Sequence, residues 1–314
     1  MAIYKTADSE IWTGRTSDQQ LYLHERIKCS TIDTITENSI ALLGYSCDEG
    51  VRRNQGRTGA ATGPDAIRHQ LGKMPNHLDP GIQIHDCGTI ECNDGDMEAA
   101  QHMLSEKVSF LLKQKAFPIL LGGGHDIAYG HYKGLLDHPG KGKTMGIINF
   151  DAHFDLRTNE NGANSGTPFY QIAQECKDKG IPFDYLCLGI RKDANDRKLF
   201  ETAAALEVKY VENKEFNVCQ LKSVTKTIKE FIAKVDYIYT TIDLDGFSSA
   251  YAPGVSAASP MGFSPDIVLH SLSTIIKSNK LLGMDIVEMN PTYDIDQQTA
   301  KLAASLIHSV IQGQ

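Results

Sequence analysis

The sequence predicts an α/β fold built on a mainly parallel sheet. Three observations carry this. Short continuous apolar runs recur along the chain, amphipathic segments alternate with them, and clusters of Asp and His stand directly after several of the runs. Strands buried on both faces read as unbroken apolar stretches, as they do in parallel sheets. A strand-then-helix alternation is the pattern of a sheet covered by helices.

The runs at 40–45, 82–85, 118–121, 145–150, 185–189, 208–211, 237–242 and 281–287 predict eight strands. Helices are predicted over 64–71, 96–115, 168–179, 195–206, 221–234, 264–277 and 296–311. Pro64 suits a first helical turn. Met97, Ala100, Leu104, Val108 and Leu111 recur at helical spacing. No low-complexity linker or internal repeat interrupts the alternation, so residues 1–314 are expected to form one domain. The first ~35 residues read as an irregular segment that wraps the surface or reaches a neighbouring subunit.

Composition narrows the function. Hydrophobic residues make up 41% of the 314 residues, ordinary for a globular enzyme. A net charge of -8 argues against a nucleic-acid partner, which needs a basic face. No run approaches the ~18 apolar residues of a membrane span. The N-terminus lacks a secretory pattern. Seven cysteines, an odd count with no C-x-x-C pair, are expected to be reduced and inert, which fits the cytoplasm.

In an open α/β sheet, ligands bind beyond the carboxyl ends of the strands. Four places qualify. After 118–121 comes Gly122-Gly123-Gly124-His125-Asp126, which lacks the spacing and lysine of a phosphate-binding P-loop. After 145–150 comes Asp151-Ala152-His153-Phe154-Asp155. In extended backbone, residues two apart project to one side. Three ionisable groups against a buried strand need a cation to compensate them. After 237–242 comes Asp243-Leu244-Asp245, a weak signal alone. After 281–287 comes Glu288-Met289-Asn290-Pro291, where Glu288 gains meaning only from its company.

Asp151, Asp155, Asp243 and Asp245, with His125 and His153, come from the first three places. Six such groups suit two divalent ions bridged by carboxylates, and oxygen plus imidazole ligation without thiolate fits Mn²⁺. Two ions roughly 3.5–4 Å apart lower the pKa of a water between them.

These blocks, in this order, resemble the ureohydrolase family of arginases, agmatinases and formimidoylglutamases, over about residues 36–312. The resemblance implies the three-layer α/β/α arginase-like fold with an eight-stranded, mainly parallel sheet. It implies that His125, Asp151, Asp155 and Asp243 hold one Mn²⁺, and His153, Asp151, Asp243 and Asp245 the other. Asp155 would also orient the attacking water, and Glu288 would receive the cationic amidinium, whose N–H fork a carboxylate matches. A homo-oligomer is expected, since the family often forms trimers or hexamers.

Within the family the sequence is similar to the formimidoylglutamases. Trp12-Thr13-Gly14-Arg15, the stretch from Gly50 to Arg57, Gly63-Pro64-Asp65-Ala66-Ile67-Arg68 and the GGGHDIAYGH block from Gly122 to His131 carry that likeness. Asn164-Ser165-Gly166 puts Ser165 where arginases have a proton-shuttling His. The implied reaction is hydrolysis of N-formimidoyl-L-glutamate to L-glutamate and formamide, a step of histidine degradation. Its substrate carries two carboxylates, so cations are expected near the metals. Arg157, Arg57, Arg53 and Arg191 are candidates, with Asn164 and Ser165 as polar partners. An agmatinase or guanidino-acid hydrolase is the alternative, although agmatine's cationic end suits Arg-rich surroundings poorly. A catalytically silent relative would be expected to lose ligands, and none of the six is missing. A single-zinc deacetylase lacks the second set.

Overall fold

The computed structural model describes residues 1–136, 138, 140 and 142–313. In chain order its strands are β1 (Ala2–Lys5), β2 (Lys28–Cys29), β3 (Ile40–Ser46), β4 (Ile84–Cys92), β5 (Phe117–Leu121), β6 (Met145–Phe150), β7 (Asp184–Ile190), β8 (Lys209–Glu212), β9 (Tyr237–Asp243) and β10 (Leu281–Val287). The helices are α1 (Glu49–Arg53), α2 (Gly63–Leu71), α3 (Met97–Lys113), α4 (Ile127–Leu136), α5 (Pro168–Lys179), α6 (Arg197–Ala205), α7 (Leu221–Ile232), α8 (Pro265–Ile276) and α9 (Gln298–Ile311).

All ten strands belong to one sheet, ordered β1-β4-β3-β5-β10-β9-β6-β7-β8, with β2 also paired to β4. Every pairing is parallel except β1 with β4. Two hydrophobic layers flank the sheet. Ile40, Leu42, Ile148 and Phe150 face Ile67 of α2, Ile228 of α7, Leu272 of α8 and Leu306 of α9. Their neighbours Ala41, Leu43 and Ile147 face Leu104 of α3, Tyr132 of α4, Ile172 of α5 and Ala203 of α6. Period-two side-chain alternation within a strand therefore feeds two cores, which is why these strands are apolar throughout. The layers are helix, sheet, helix, as the fold class requires.

Three expectations need correction. The described residues form ten strands, not eight, because the N-terminal segment is not wholly irregular. Ala2–Lys5 closes the sheet edge antiparallel to β4, and Lys28–Cys29 adds a short parallel pair. Both are too short to show periodicity. The strand expected at 82–85 runs on to Cys92, through His85, Asp86, Gly88, Thr89 and Glu91. Those polar residues hide it from a hydrophobic reading. Helix α4 also escaped notice, because Gly130 and Gly134 are poor helix formers. They let α3 pack close: a Cβ at Gly130 would lie 2.7 Å from the Gln101 carbonyl oxygen.

A buried ion pair explains how polar β4 is tolerated. Arg68 Nη2 donates to Asp86 Oδ1 at 2.9 Å, and Trp12 Nε1 donates to Asp86 Oδ2 at 2.9 Å. Arg68 and Asp86 are 2% and 1% exposed. The Trp12 segment is thus pinned to its own chain. Removing one partner of a buried pair strands the other charge, at a cost of about 3–5 kcal/mol. Asp86→Ala should lower the unfolding free energy by that amount, and Trp12→Phe by about 1 kcal/mol, the value of one hydrogen bond. Urea unfolding followed by circular dichroism measures both.

Candidate metal centre and active site

The four strands that end in Asp, His or Glu motifs are neighbours at the middle of the sheet, in the order β5-β10-β9-β6. Register then brings their ends together. Phe150 pairs with Ile242, so Asp151 and Asp243 leave the sheet side by side. Val287 pairs with Asp243, which sets Glu288 just beyond. Gly122 N donates to the Ile286 carbonyl, carrying the 122–126 loop over the same spot. Gly123 is required there, since a Cβ would meet the Cys47 carbonyl oxygen, a backbone atom that cannot swing away.

The six predicted ligands converge. His125 Nδ1 lies 3.3 Å from Asp151 Oδ2, 2.9 Å from Asp155 Oδ2 and 3.1 Å from Asp243 Oδ2. His153 Nδ1 lies 3.3 Å from both Asp151 Oδ1 and Asp245 Oδ1. They form two groups, His125–Asp151–Asp155–Asp243 and Asp151–His153–Asp245, with candidate ligand atoms within 4.8 Å of one another in each. Asp151 belongs to both. Asp243, expected in both, falls in the first only. The alternate spacing is locked by two identical turns: His153 N donates to Asp151 Oδ1 at 2.7 Å, and Asp245 N to Asp243 Oδ1 at 2.8 Å.

Buried polar atoms test whether these residues fit metal ions. His125 is fully buried and its Nε2 sits 3.0 Å from Thr241 Oγ1, yet Nδ1 has no hydrogen-bond partner among three carboxylate oxygens. Asp245 Oδ1 is likewise orphaned. With Nε2 donating to Thr241, Nδ1 presents a lone pair to the oxygens' common centre, which calls for a cation. Four clustered carboxylates carry four negative charges, the charge that two divalent ions cancel. The residues fit such ions.

Electrostatics show the same strain. Burial, then the charges of Asp245 and Asp151, drives the Asp243 carboxyl well above its usual range. Burial, then Asp151, also raises Asp155. Burial acts on Asp151 in the same direction, but the His125 and His153 imidazoles beside it override this and hold its carboxyl below the ordinary range. Glu288 is pushed to about 8 by burial and then by Asp245, while its Oε1 accepts from His125 N at 2.9 Å. Asp155 and Glu288 sit at φ of 49° and 65°, a left-handed backbone unusual for these residues and frequent at functional sites.

A cavity of about 200 Å³ opens over the cluster. Its walls include His125, His153, Asp155, Asp243, Asp245, Glu288, Ser165 and Arg157. Ser165 is buried and its Oγ accepts from Asn54 Nδ2 at 3.2 Å. The Arg157 side chain is 51% exposed, and its closest acid is Asp196, 4.0 Å away. Among the described residues its guanidinium makes no hydrogen bond. Gly166 makes room for it, since a Cβ there would lie 3.0 Å from Arg157 Cδ.

The other predicted arginines are not brought to this cavity. Arg53 is held by Glu49, Glu98 and the carbonyls of Gly95 and Ala163. Arg57 donates to the carbonyls of Val255 and Ser256 and lies 3.9 Å over the Tyr293 ring. Arg191 pairs with Asp193 at 2.6 Å. Asn164 shapes the turn, its Oδ1 accepting from Gly166 N at 2.9 Å. Sequence reasoning missed Asn195. Its Oδ1 accepts from Phe154 N at 3.0 Å, and its Nδ2 donates to the carbonyls of Ala152 and Arg191, both at 2.8 Å. It therefore clamps the 151–155 loop. No charge or motif marks it in the sequence. Behind His125, Phe169 meets the ring edge-on at 5.3 Å.

The fold and the donor set, together with the family and relatives they match, define a hydrolase of amidine C–N bonds. The chain belongs to the arginase family, whose model matches residues 38–312. It is similar to the formimidoylglutamase of Chromobacterium violaceum, at 45% identity over 309 residues, covering 96% of this chain and 97% of that one. The crystal structure of formimidoylglutamase from Bacillus subtilis subsp. subtilis str. 168 superposes with a TM-score of 0.83 at 24% identity, covering 96% of this chain and 94% of that chain. That of Trypanosoma cruzi formiminoglutamase with Mn²⁺ gives 0.82 at 22% identity, over 94% and 98%.

Groups that orient metal ligands typically change metal affinity about 10–100-fold when removed. Asn195→Ala should weaken divalent-metal binding by such a factor in a direct metal titration. An unchanged affinity would strip Asn195 of the clamping role.

Proposed function

We propose that the protein hydrolyses N-formimidoyl-L-glutamate to L-glutamate and formamide, a reaction of histidine degradation, with two Mn²⁺ ions. The carrying observation is that one cavity is lined by both a carboxyl group and an arginine. Glu288 is suited to take an amidinium, and Arg157, whose guanidinium makes no hydrogen bond among the described residues, to take a carboxylate. The likeness to the formimidoylglutamases supports this substrate, and the Trypanosoma cruzi structure with Mn²⁺ supports the metal.

His125, Asp151, Asp155 and Asp243 would hold one ion, and Asp151, His153 and Asp245 the other. When bound, two such ions supply a nucleophile from water at neutral pH and counter-charge for the negative charge that develops on the substrate. The chain's own groups do the rest. Glu288 keeps one oxygen on His125 N–H and offers the other to the formimidoyl N–H groups, fixing the carbon that is attacked. Asp155 faces His125 with Oδ2, so its remaining oxygen is the atom at which a proton is held and passed to the leaving nitrogen. Arg157 binds a carboxylate of the glutamyl part, and Ser165, fixed by Asn54, supplies a neutral polar contact. Ser165 has no basic nitrogen, so no shuttle operates from that position. In this reading the enzyme is a single-domain, cytoplasmic homo-oligomer.

A guanidino-acid hydrolase is the second reading, because Arg157 would bind the carboxylate of guanidinobutyrate equally well. Agmatine, cationic at its far end, would be repelled. Mn²⁺-loaded protein offered formimidoylglutamate, arginine, agmatine and guanidinobutyrate in parallel should prefer the first, and a preference for any other overturns the substrate. Asp151→Ala and Asp243→Ala should each lose bound Mn²⁺ and turnover together. Turnover retained by either variant removes that residue from the ligand set. Arg157→Ala should raise the KM for formimidoylglutamate, and an unchanged value would exclude it from substrate binding.

A further inference from the structure

The cluster cavity is small and has a neighbour. A second cavity of about 400 Å³ shares Asn54, Arg157 and Leu199 with it and, apart from Leu156, is lined otherwise by polar groups, among them Asn161, Asn164, Thr202 and Lys198. The side chain of Arg157 is thus a common wall. Nothing in the proposed chemistry uses the second cavity.

Its charge balance is informative. Arg53, Arg157, Lys198 and Asp196 are its charged lining residues. Arg53 is neutralised by Glu49 and Glu98. Asp196 caps α6, accepting from Lys198 N at 2.8 Å and Leu199 N at 3.2 Å, and stays 4.0 Å from Arg157. Lys198 has no ion-pair partner among the described residues, and Arg157 has only that distant one. Two cations therefore face one acid that is already engaged by backbone N–H groups. The surplus is one positive charge, beside amide and hydroxyl donors suited to an anion.

The substrate's geometry meets this arrangement. In an N-formimidoyl amino acid the α-carboxylate is attached to the carbon that bears the reacting nitrogen, so it must stay inside the cluster cavity. A side-chain carboxylate lies three C–C bonds further, about 4 Å on. It has to leave the smaller cavity, and the Arg157 wall opens onto the larger one.

We propose that the second cavity is the subsite for the distal carboxylate of a dicarboxylic N-formimidoyl amino acid, with Lys198 as the residue that selects for that carboxylate and Arg157 bridging the two subsites. This rests on the formimidoyl-substrate reading above. Lys198 lies on the first turn of α6 with its side chain exposed, so it can be replaced without disturbing the core. It touches neither the metal ligands nor the reacting atoms and acts on specificity alone.

The test compares N-formimidoyl-glutamate with N-formimidoyl-alanine, which lacks the distal carboxylate, using the Mn²⁺-loaded full-length protein. The wild type should favour the glutamate compound in kcat/KM. An exposed ion pair is worth up to about a fivefold preference, and reversing the charge roughly doubles the effect on a logarithmic scale. Lys198→Met should reduce the preference about fivefold through KM, Lys198→Glu should reduce it by more than tenfold, and Lys198→Arg should keep it. An unchanged preference in Lys198→Glu overturns the subsite while leaving the substrate reading intact. A wild type that hydrolyses neither compound overturns the substrate reading, and the subsite falls with it. Loss of preference in Lys198→Arg as well as in Lys198→Glu would show a structural role for the position and likewise overturn the selection of a carboxylate by charge.

Discussion

Four carboxylates packed against the ends of buried strands are the constraint to which the rest of the structure answers. Asp151 and Asp243 are fully or nearly fully buried, and Asp155 and Asp245 lie against them. Such charge has no place in an apolar sheet unless a cation balances it. The sheet order, the turns and the clamps can all be understood as ways of holding that charge in one place. Neighbouring parallel strands deliver the groups from one direction. Asx-type turns at Asp151 and Asp243 fix which oxygen faces inward. Thr241 at Nε2 leaves His125 Nδ1 facing the centre.

Much of this was legible in the sequence, and for a physical reason. A strand buried on both faces must be apolar, so an ionisable group at its end stands out. His125, Asp151, His153, Asp155, Asp243 and Asp245 all stand out in that way, and all six converge. The central strands read clearly for the same cause. The edge did not. In β4, Asp86 is tolerated because Arg68 and Trp12 neutralise and hydrogen-bond it, and those partners lie far away in the chain. Helix α4 carries glycines that serve its neighbour rather than its own propensity.

The substrate side was harder to read. A sequence shows that an arginine is charged but not what it is paired with. Arg53, Arg57 and Arg191 look equivalent to Arg157 on paper, yet each is engaged by acids, carbonyls or an aromatic ring. Arg157 stands out in the sequence only by its place two residues past Asp155; that its guanidinium makes no hydrogen bond among the described residues is a property of the folded chain. Asn195 is the converse case. It is uncharged, lies in no motif, and gains its part from three hydrogen bonds that require the loop to be folded already.

The strand order also governs when the centre can come into being. β5 and β10 lie side by side although some 160 residues separate Leu121 from Ile286. Strands β3, β4 and β5 can pair once about the first two-fifths of the chain has left the ribosome. The 122–126 loop acquires its seat on Ile286, and His125 its bond to Glu288, only when nearly the whole chain has emerged. The donor groups therefore remain scattered through most of synthesis. The group that contains His125 is completed last, after the ends of β6 and β9 have already met, and its loading with an ion becomes a late event that reports a completed chain.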